Sequence, residues 1–295
     1  MHRDVVIARG VNMPILAFGT YRLRGDECRD AVRDALAVGF RHVDTATCYR
    51  NERAVAEALA AAPLSVSADT FVTSKIAPNE MHSEADTTRA IEGVVERLGR
   101  PPSLLLVHWP GQSKTAPSSE AHREARLRTW RALERAVKNG QCRAIGVSNY
   151  EISHLEELLA VAEIPPAVNQ IELHPRFPQR DLRRACADRG VRVVGYSPLG
   201  VGALLNDPRV ISFAHDIGLP PAPALVRWSL SRAAAVVVKS STRDRAEENF
   251  RVLGAVDDES KDDAIEASVE SAIDALERAF ERDRVKFCWD PATVS

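Results

Sequence analysis

Eight short, mostly apolar runs recur along the chain, and stretches with helical spacing separate them. The runs are Ile15–Thr20, His42–Ala46, Phe71–Ile76, Leu104–Trp109, Arg143–Ser148, Val168–His174, Val191–Ser197 and Val236–Ser240. Runs without polar alternation suit strands covered on both faces, as in a parallel sheet. Between them, Asp26–Val38 repeats apolar residues at Ala31, Val32, Ala35 and Leu36. Glu52–Ala61, Glu84–Leu98, Arg123–Val137, Ile152–Val161 and Asp181–Ala187 read alike, as do Pro208–Asp216, Ala222–Ser231 and Arg243–Leu253. Ser83 with Asp86 and Ser153 with Glu156 have the spacing of helix N-caps. Eight strand–helix units predict an α/β fold, a closed parallel (β/α)8 barrel of the TIM type. An open doubly wound sheet is the rival, because strand number alone does not prove closure.

Two segments lie outside the eight units. Val5–Ile7 and Met13–Ile15 flank Arg9-Gly10-Val11-Asn12, a hairpin signal before the first barrel strand. At the other end, Ser260 and Asp263 can cap an additional C-terminal helix with the face Ile265, Val269, Ile273, Leu276 and Phe280. The acidic run Asp257, Asp258, Glu259, Asp262 and Asp263 reads as the solvated start of that helix. Gln112–Ser119 reads as a mobile loop. Residues 1–295 are expected to form one domain.

Composition narrows the function classes. Lys plus Arg is 39 and Asp plus Glu is 41, so there is no global basic footprint for nucleic acid or an anionic membrane. No apolar run reaches the roughly 18 residues of a membrane helix. The N-terminal MHRDVVIARGVNMP has no hydrophobic signal core. Five scattered cysteines, none in a CxxC pair, indicate neither a disulfide framework nor a zinc site. The expectation is a soluble, reduced, cytoplasmic protein with no resident metal, and a monomer by default.

In such a barrel, chemistry gathers where strands end at their C-terminal edge. The second run ends in Asp44, with Tyr49 close behind; the third ends in Lys75 and the fourth in His108. The fifth ends in Ser148 and Asn149, and the sixth in Gln170, Glu172 and His174. The seventh ends in Tyr196 and Ser197, and the eighth in Lys239 and Ser240. Packing explains such endings poorly. A tyrosine is a weak acid at neutral pH, and a nearby ammonium lowers its pKa. Asp44 would keep Lys75 charged, Lys75 would tune Tyr49, and His108 would orient a carbonyl by hydrogen bond. That is apparatus for protonating a carbonyl oxygen while a hydride arrives at carbon. Taken singly, each residue also fits a duller role: Asp44 a helix cap, Lys75 a solvated strand end, His108 a structural histidine, Tyr49 a loop aromatic.

Six motifs then occur in order: GFRHVDTATCYRNE at 39–52, LLLVHWP at 104–110, GQCRAIGVSNY at 140–150, VNQIELHP at 168–175, GYSPLG at 195–200 and KSSTRDRAEEN at 239–249. In these the chain resembles the aldo-keto reductase family over nearly its whole length. The resemblance implies NADPH-dependent reduction of aldehydes and ketones, with a tetrad of Asp44, Tyr49, Lys75 and His108. It implies that Ser148, Asn149 and Gln170 hold the nicotinamide carboxamide, that Tyr196 stacks on its ring, and that Ser197 and Leu199 line the pyrophosphate path. Gly19, Thr20 and Tyr21 fall on the cofactor side as well. Lys239, Ser240 and Arg245 match a grip on the adenosine 2′-phosphate, a dianion that two cations and a hydroxyl suit. Glu248 and Asn249 would contact adenine. NADPH is therefore expected over NADH.

Tyr21 stands where many relatives carry Trp, which leaves substrate preference open. Tyr21, Tyr49, His108 and Trp109 are the expected substrate walls, and Phe287-Cys288-Trp289 lies in a tail that closes over the pocket in the family. The segment after GYSPLG is short, so the loop over the pyrophosphate is expected to enclose it less. One alternative is a nucleotide-binding regulatory or scaffolding subunit of the same family with little turnover. Another is a Schiff-base lyase using Lys75, which a carboxylate neighbour such as Asp44 would oppose. No GxGxxG follows the first strand, no Tyr-x-x-x-Lys pair occurs, and no HExxH is present.

Overall fold

The computed structural model describes residues 3–256 and 263–294, and within them all eight runs are strands of one sheet. An N-terminal hairpin, β1 (Asp4–Ala8) and β2 (Val11–Pro14), precedes the series. The series is β3 (Leu16–Gly19), β4 (His42–Asp44), β5 (Phe71–Ile76), β6 (Leu104–Val107), β7 (Ala144–Ser148), β8 (Val168–Glu172), β9 (Arg192–Tyr196) and β10 (Ala235–Val238). Every pairing in it is parallel, and β10 returns to β3, with Val236 opposite Leu16 and Val238 opposite Phe18. That contact closes the barrel and disposes of the open-sheet rival.

The helices are α1 (Gly25–Val38), α2 (Glu52–Ala61), α3 (Leu64–Asp69), α4 (Glu84–Leu98), α5 (Ala121–Lys138) and α6 (Ile152–Leu159). They continue with α7 (Arg180–Asp188), α8 (Pro208–Asp216), α9 (Pro221–Leu230), α10 (Arg243–Phe250), α11 (Val252–Val256) and α12 (Asp263–Ala279). Two apolar layers result. One lies between strands and helices and includes Val32, Leu36, Ile91, Leu133 and Trp228. The other fills the barrel with Leu104, Leu106, Val168, Val194 and Val237, and the hairpin residues Ile7, Val11 and Met13 join it. The hairpin thereby floors the barrel at the end away from the strand C-termini.

Several local readings need adjustment. α3 gave no sequence signal because it buries none of its residues. The single helix expected at Arg243–Leu253 is two, α10 and α11, divided at Arg251. Ser83 does cap α4, its Oγ accepting from the Asp86 N–H. Ser153 and Glu156 do not cap α6; its first residue is Ile152, and the Glu151 N–H donates to His154 Nδ1 instead. Of the α12 face, Ile273, Leu276 and Phe280 are buried, but Ile265 is exposed. Ser260 and Asp257, Asp258, Glu259 and Asp262 lie outside the described residues, as does the side chain of Asp263. The 112–119 loop is held by His122, whose Nδ1 accepts from the Gln112 N–H and whose Nε2 meets the Ala116 carbonyl.

Gly39 ends α1 at φ 130°, and a Cβ there would come within 2.7 Å of Phe250. Both the turn and the close approach of α10 therefore require glycine.

His42 ties the floor to the wall. It is buried at the start of β4, its Nδ1 facing the Pro14 carbonyl at 3.1 Å and its Nε2 the Thr73 hydroxyl at 2.9 Å. Burial pushes its pKa down to about 4. An unfolded chain binds a proton at this histidine near pH 6.5, whereas the folded chain resists it. Stability is thus fully present above about pH 6.5 and falls as the pH drops toward 4, by about 3 kcal/mol at most from this residue. His108, His154 and His174 are also pushed down by burial and add to the slope. Urea unfolding at a series of pH values should show this decline, and His42→Asn should make it shallower by one proton. An unchanged slope in the variant would remove His42 from the account.

Candidate active site

The strand ends bring the four tetrad residues together. Asp44 closes β4 and Lys75 lies near the end of β5, both buried. Lys75 Nζ donates to Asp44 Oδ1 at 2.5 Å and to the Thr45 carbonyl at 2.9 Å. The other carboxylate oxygen, Oδ2, accepts from Gln170 Nε2 of β8 at 2.8 Å. Tyr49 ends a short 3-10 turn, Thr47–Tyr49, just after β4, and Lys75 Nζ lies 5.3 Å from its ring centre. His108 follows β6, edge-on to the Tyr49 ring with centres 5.6 Å apart.

The charge state of this cluster differs from the sequence reading in one respect. Burial, and after it the charge of Asp44, pushes the Tyr49 phenol well above its usual value. The lowering expected from Lys75 is not among the leading influences on Tyr49. His108 is pushed well below the usual imidazole range, first by burial and then by the Lys75 charge, and is neutral at working pH. The site thus presents a protonated phenol and a neutral imidazole beside a fixed ion pair.

A second set of polar groups joins this one. Asn149, at φ 63°, donates through Nδ2 to the His108 carbonyl at 3.0 Å and to Ser148 Oγ at 3.0 Å. Its Oδ1 accepts from the Tyr196 hydroxyl at 2.7 Å. Ser148 Oγ donates to the Gln170 carbonyl at 2.8 Å. Ser148, Asn149, Gln170 and Tyr196 therefore form one network with Asp44. Ser197 follows Tyr196 with φ 53°, and half-buried Leu199 comes soon after it.

Other expected residues are placed differently. Thr20 is fully buried, and both its N–H and its hydroxyl go to the Asp44 carbonyl, so its visible task is to hold that strand end. Gly19 is buried too, with room for no Cβ, because Val237 Cγ1 would lie 2.9 Å from one. Tyr21 is 56 % exposed, its ring 5.1 Å from that of Tyr49. Trp109 lies nearly parallel to His108 and meets Trp289 of the tail edge-on at 4.6 Å.

Further along the strand-end face, Lys239 and Arg245 are exposed, with no hydrogen-bond or ion-pair partner among the described residues. Ser240 is buried and accepts from Asn249 Nδ2 at 3.2 Å, while Glu248 is half-buried beside it. Asn249 Oδ1 is buried without a partner among the described residues. A cavity of about 150 Å³ adjoins Ser240–Arg243 and is walled on its far side by Glu27, Asp30, Ala31 and Asp34 of α1. A larger surface cleft, about 630 Å³, opens at the beginnings of β9 and β10 among Arg180, Arg183, Arg192 and Arg232, and no expected site residue lines it.

Sequence reading missed three contributors. The Thr45 carbonyl holds Lys75, and Cys48 Sγ lies 3.5 Å from His108 Nδ1. The α1 acids line the smaller cavity. Backbone carbonyls and side-chain neighbours across the barrel leave no mark in a linear pattern; only the proximity of Cys48 to Tyr49 offered a hint.

The aldo/keto reductase family model matches residues 15–270. A glyoxal reductase of Bacillus subtilis (strain 168) is 36 % identical over 251 residues, covering 84 % of this chain and 86 % of its own length. A 9,11-endoperoxide prostaglandin H2 reductase of Trypanosoma cruzi is 36 % identical over 253 residues, covering 84 % and 85 %. A mutant protein solved in complex with NADPH superposes with TM-score 0.84 at 32 % identity, covering 100 % of this chain and 99 % of that one. A Bombyx mori aldo-keto reductase in complex with NADP superposes with TM-score 0.79 at 27 % identity, covering 93 % and 92 %. Given a closed barrel with its polar groups gathered at the strand ends, these matches lead to one conclusion: the chain belongs to the aldo/keto reductase family and is an NADP-dependent oxidoreductase acting on carbonyls.

Proposed function

We propose that the protein reduces aldehydes and some ketones to alcohols with NADPH, with Tyr49 as the proton donor and His108 orienting the carbonyl. The observation that carries this reading is the Lys75 ammonium, fixed between Asp44 and the Thr45 carbonyl, beside a Tyr49 ring that His108 meets edge-on. When bound, NADPH supplies the hydride that reaches the carbonyl carbon. Tyr49 keeps its proton at rest because its pKa is raised, and gives it to the carbonyl oxygen only as negative charge develops there. Neutral His108 can direct an N–H at that oxygen without bringing a second positive charge near Lys75. The ion pair is buried, and both carboxylate oxygens and two of the three ammonium protons are hydrogen-bonded, so its field is set before substrate arrives.

The residues present fit the cofactor. Lys239 and Arg245 are exposed cations, unpaired among the described residues and suited to the 2′-phosphate, with Ser240 between them in the same segment. The unpartnered Asn249 Oδ1 is an acceptor for the adenine amino group. Ser148, Asn149 and Gln170 would hold the carboxamide, and Tyr196 would lie against the nicotinamide ring. The same reading takes residues 1–295 as one unit and the protein as a cytoplasmic monomer. Its five cysteines are free, which suits a reducing compartment. Among the described residues, no helix is long and apolar enough to cross a membrane.

Tyr49→Phe tests the proton donor. We expect turnover on any active aldehyde to fall at least about 100-fold. NADPH binding, followed by cofactor fluorescence, should persist. A fully active variant would remove Tyr49 from its role. If the native protein holds NADPH tightly and turns over no carbonyl in a broad panel, including short dicarbonyls, the regulatory-subunit alternative takes over.

Lys239→Ala and Arg245→Ala test cofactor choice. Loss of one charge-assisted bond to the 2′-phosphate should raise KM for NADPH by about 10-fold or more. KM for NADH, which lacks that phosphate, should stay nearly constant. Equal effects on both cofactors would assign these cations another task.

A further inference from the structure

Glu172 is the last residue of β8 and is fully buried. A lone carboxylate there would be strongly disfavoured, yet this one is met by four donors. His174 Nε2 at 3.0 Å and the Phe287 N–H at 2.7 Å reach Oε1. Lys286 Nζ at 3.1 Å and the Cys288 N–H at 3.1 Å reach Oε2. These donors outweigh the effect of burial and hold the group down at about 2, so it is ionised at any working pH. Three of the four come from consecutive residues of the C-terminal segment.

That segment runs alongside the stretch after β8. Arg176 bonds both the carbonyl and the carboxylate of Asp283, and the Val285 N–H donates to the Arg176 carbonyl. Trp289 comes one residue after the clamped Cys288, and further on the Val294 carbonyl meets His154 Nε2 at 2.9 Å. Trp289 is thus strung between two anchors. It stands edge-on to Trp109, which lies parallel to His108, yet it is still 51 % exposed. Core packing alone does not explain a tryptophan held firmly and left half open.

Resting on the carbonyl-reduction reading above, we infer that Glu172 is a specificity-determining positioning residue: it fixes the C-terminal segment so that Trp289 and Trp109 form an aromatic wall selecting carbonyl substrates that carry an aryl or other flat apolar group. Glu172 touches no reacting atom. It acts through residues 286–288, whose N–H groups and ammonium need two acceptor oxygens. An amide offers one oxygen and turns two further donors toward the same place, which loosens the segment.

The test is Glu172→Gln, read on an aryl aldehyde and on a two-carbon dicarbonyl, with tryptophan emission as a readout independent of turnover. Losing an aromatic edge contact should raise KM for the aryl aldehyde by about 10-fold, with kcat/KM for the dicarbonyl within about 2-fold. Emission should shift as Trp289 leaves Trp109. Trp289→Ala should reproduce the selectivity change, and the double variant should be no worse than either single one. Should Glu172→Gln fail to fold, Lys286→Met removes one donor and should show the same pattern in smaller degree. Parallel effects on both substrates, unchanged emission or full additivity would overturn the inference. A native protein that reduces no carbonyl would instead sink the functional reading, and the emission arm would still decide whether Glu172 holds the tail.

Discussion

A single ion pair in the mouth of the barrel organises the site. Lys75 and Asp44 have side chains only 1 % and 4 % exposed. Charges so far from water are tolerated only when paired and fully hydrogen-bonded. Here the Thr45 carbonyl takes a second ammonium proton and Gln170 serves the second carboxylate oxygen. Satisfying the pair therefore draws β4, β5 and β8 into fixed register at their ends. Burial first keeps its neighbours neutral, and the pair adds to it: Asp44 discourages a phenolate at Tyr49, and Lys75 discourages an imidazolium at His108.

Two backbone sites follow the same logic. Asn149 and Ser197 both adopt positive φ without being glycine, and each sits at the end of a strand facing the site. Asparagine tolerates this conformation better than most, and its amide is engaged on both sides by His108, Ser148 and Tyr196. Local strain of this kind persists where surrounding bonds over-determine a residue.

Much of this was legible in the linear chain, for physical reasons. Strands buried on both faces leave continuous apolar runs, so all eight were visible. Polar residues interrupting those runs at one end marked Asp44, Lys75 and His108. α6 shows where reading stopped, since its start depends on Glu151 and on a histidine ring rather than on a Ser–Glu pair. The upward push on the Tyr49 phenol was not legible, because sequence order supplies the neighbours but not the burial that leads it. Glu172 was visible as a strand end, but all its partners except His174 lie 114 to 116 residues further along the chain.

The hydrogen bond from Gln170 to Asp44 spans 126 residues of sequence. On one side of it lie residues 44–108, which hold every group assigned to proton handling. On the other lie residues 148–249, which hold nearly every group assigned to gripping the nucleotide. The proposed roles thus divide between two portions of the barrel, joined at the strand ends by two amides, Gln170 to Asp44 and Asn149 to the His108 carbonyl. Grafting a foreign nucleotide-side portion onto the native proton-side portion would turn first on whether those two amides still find their carboxylate and carbonyl.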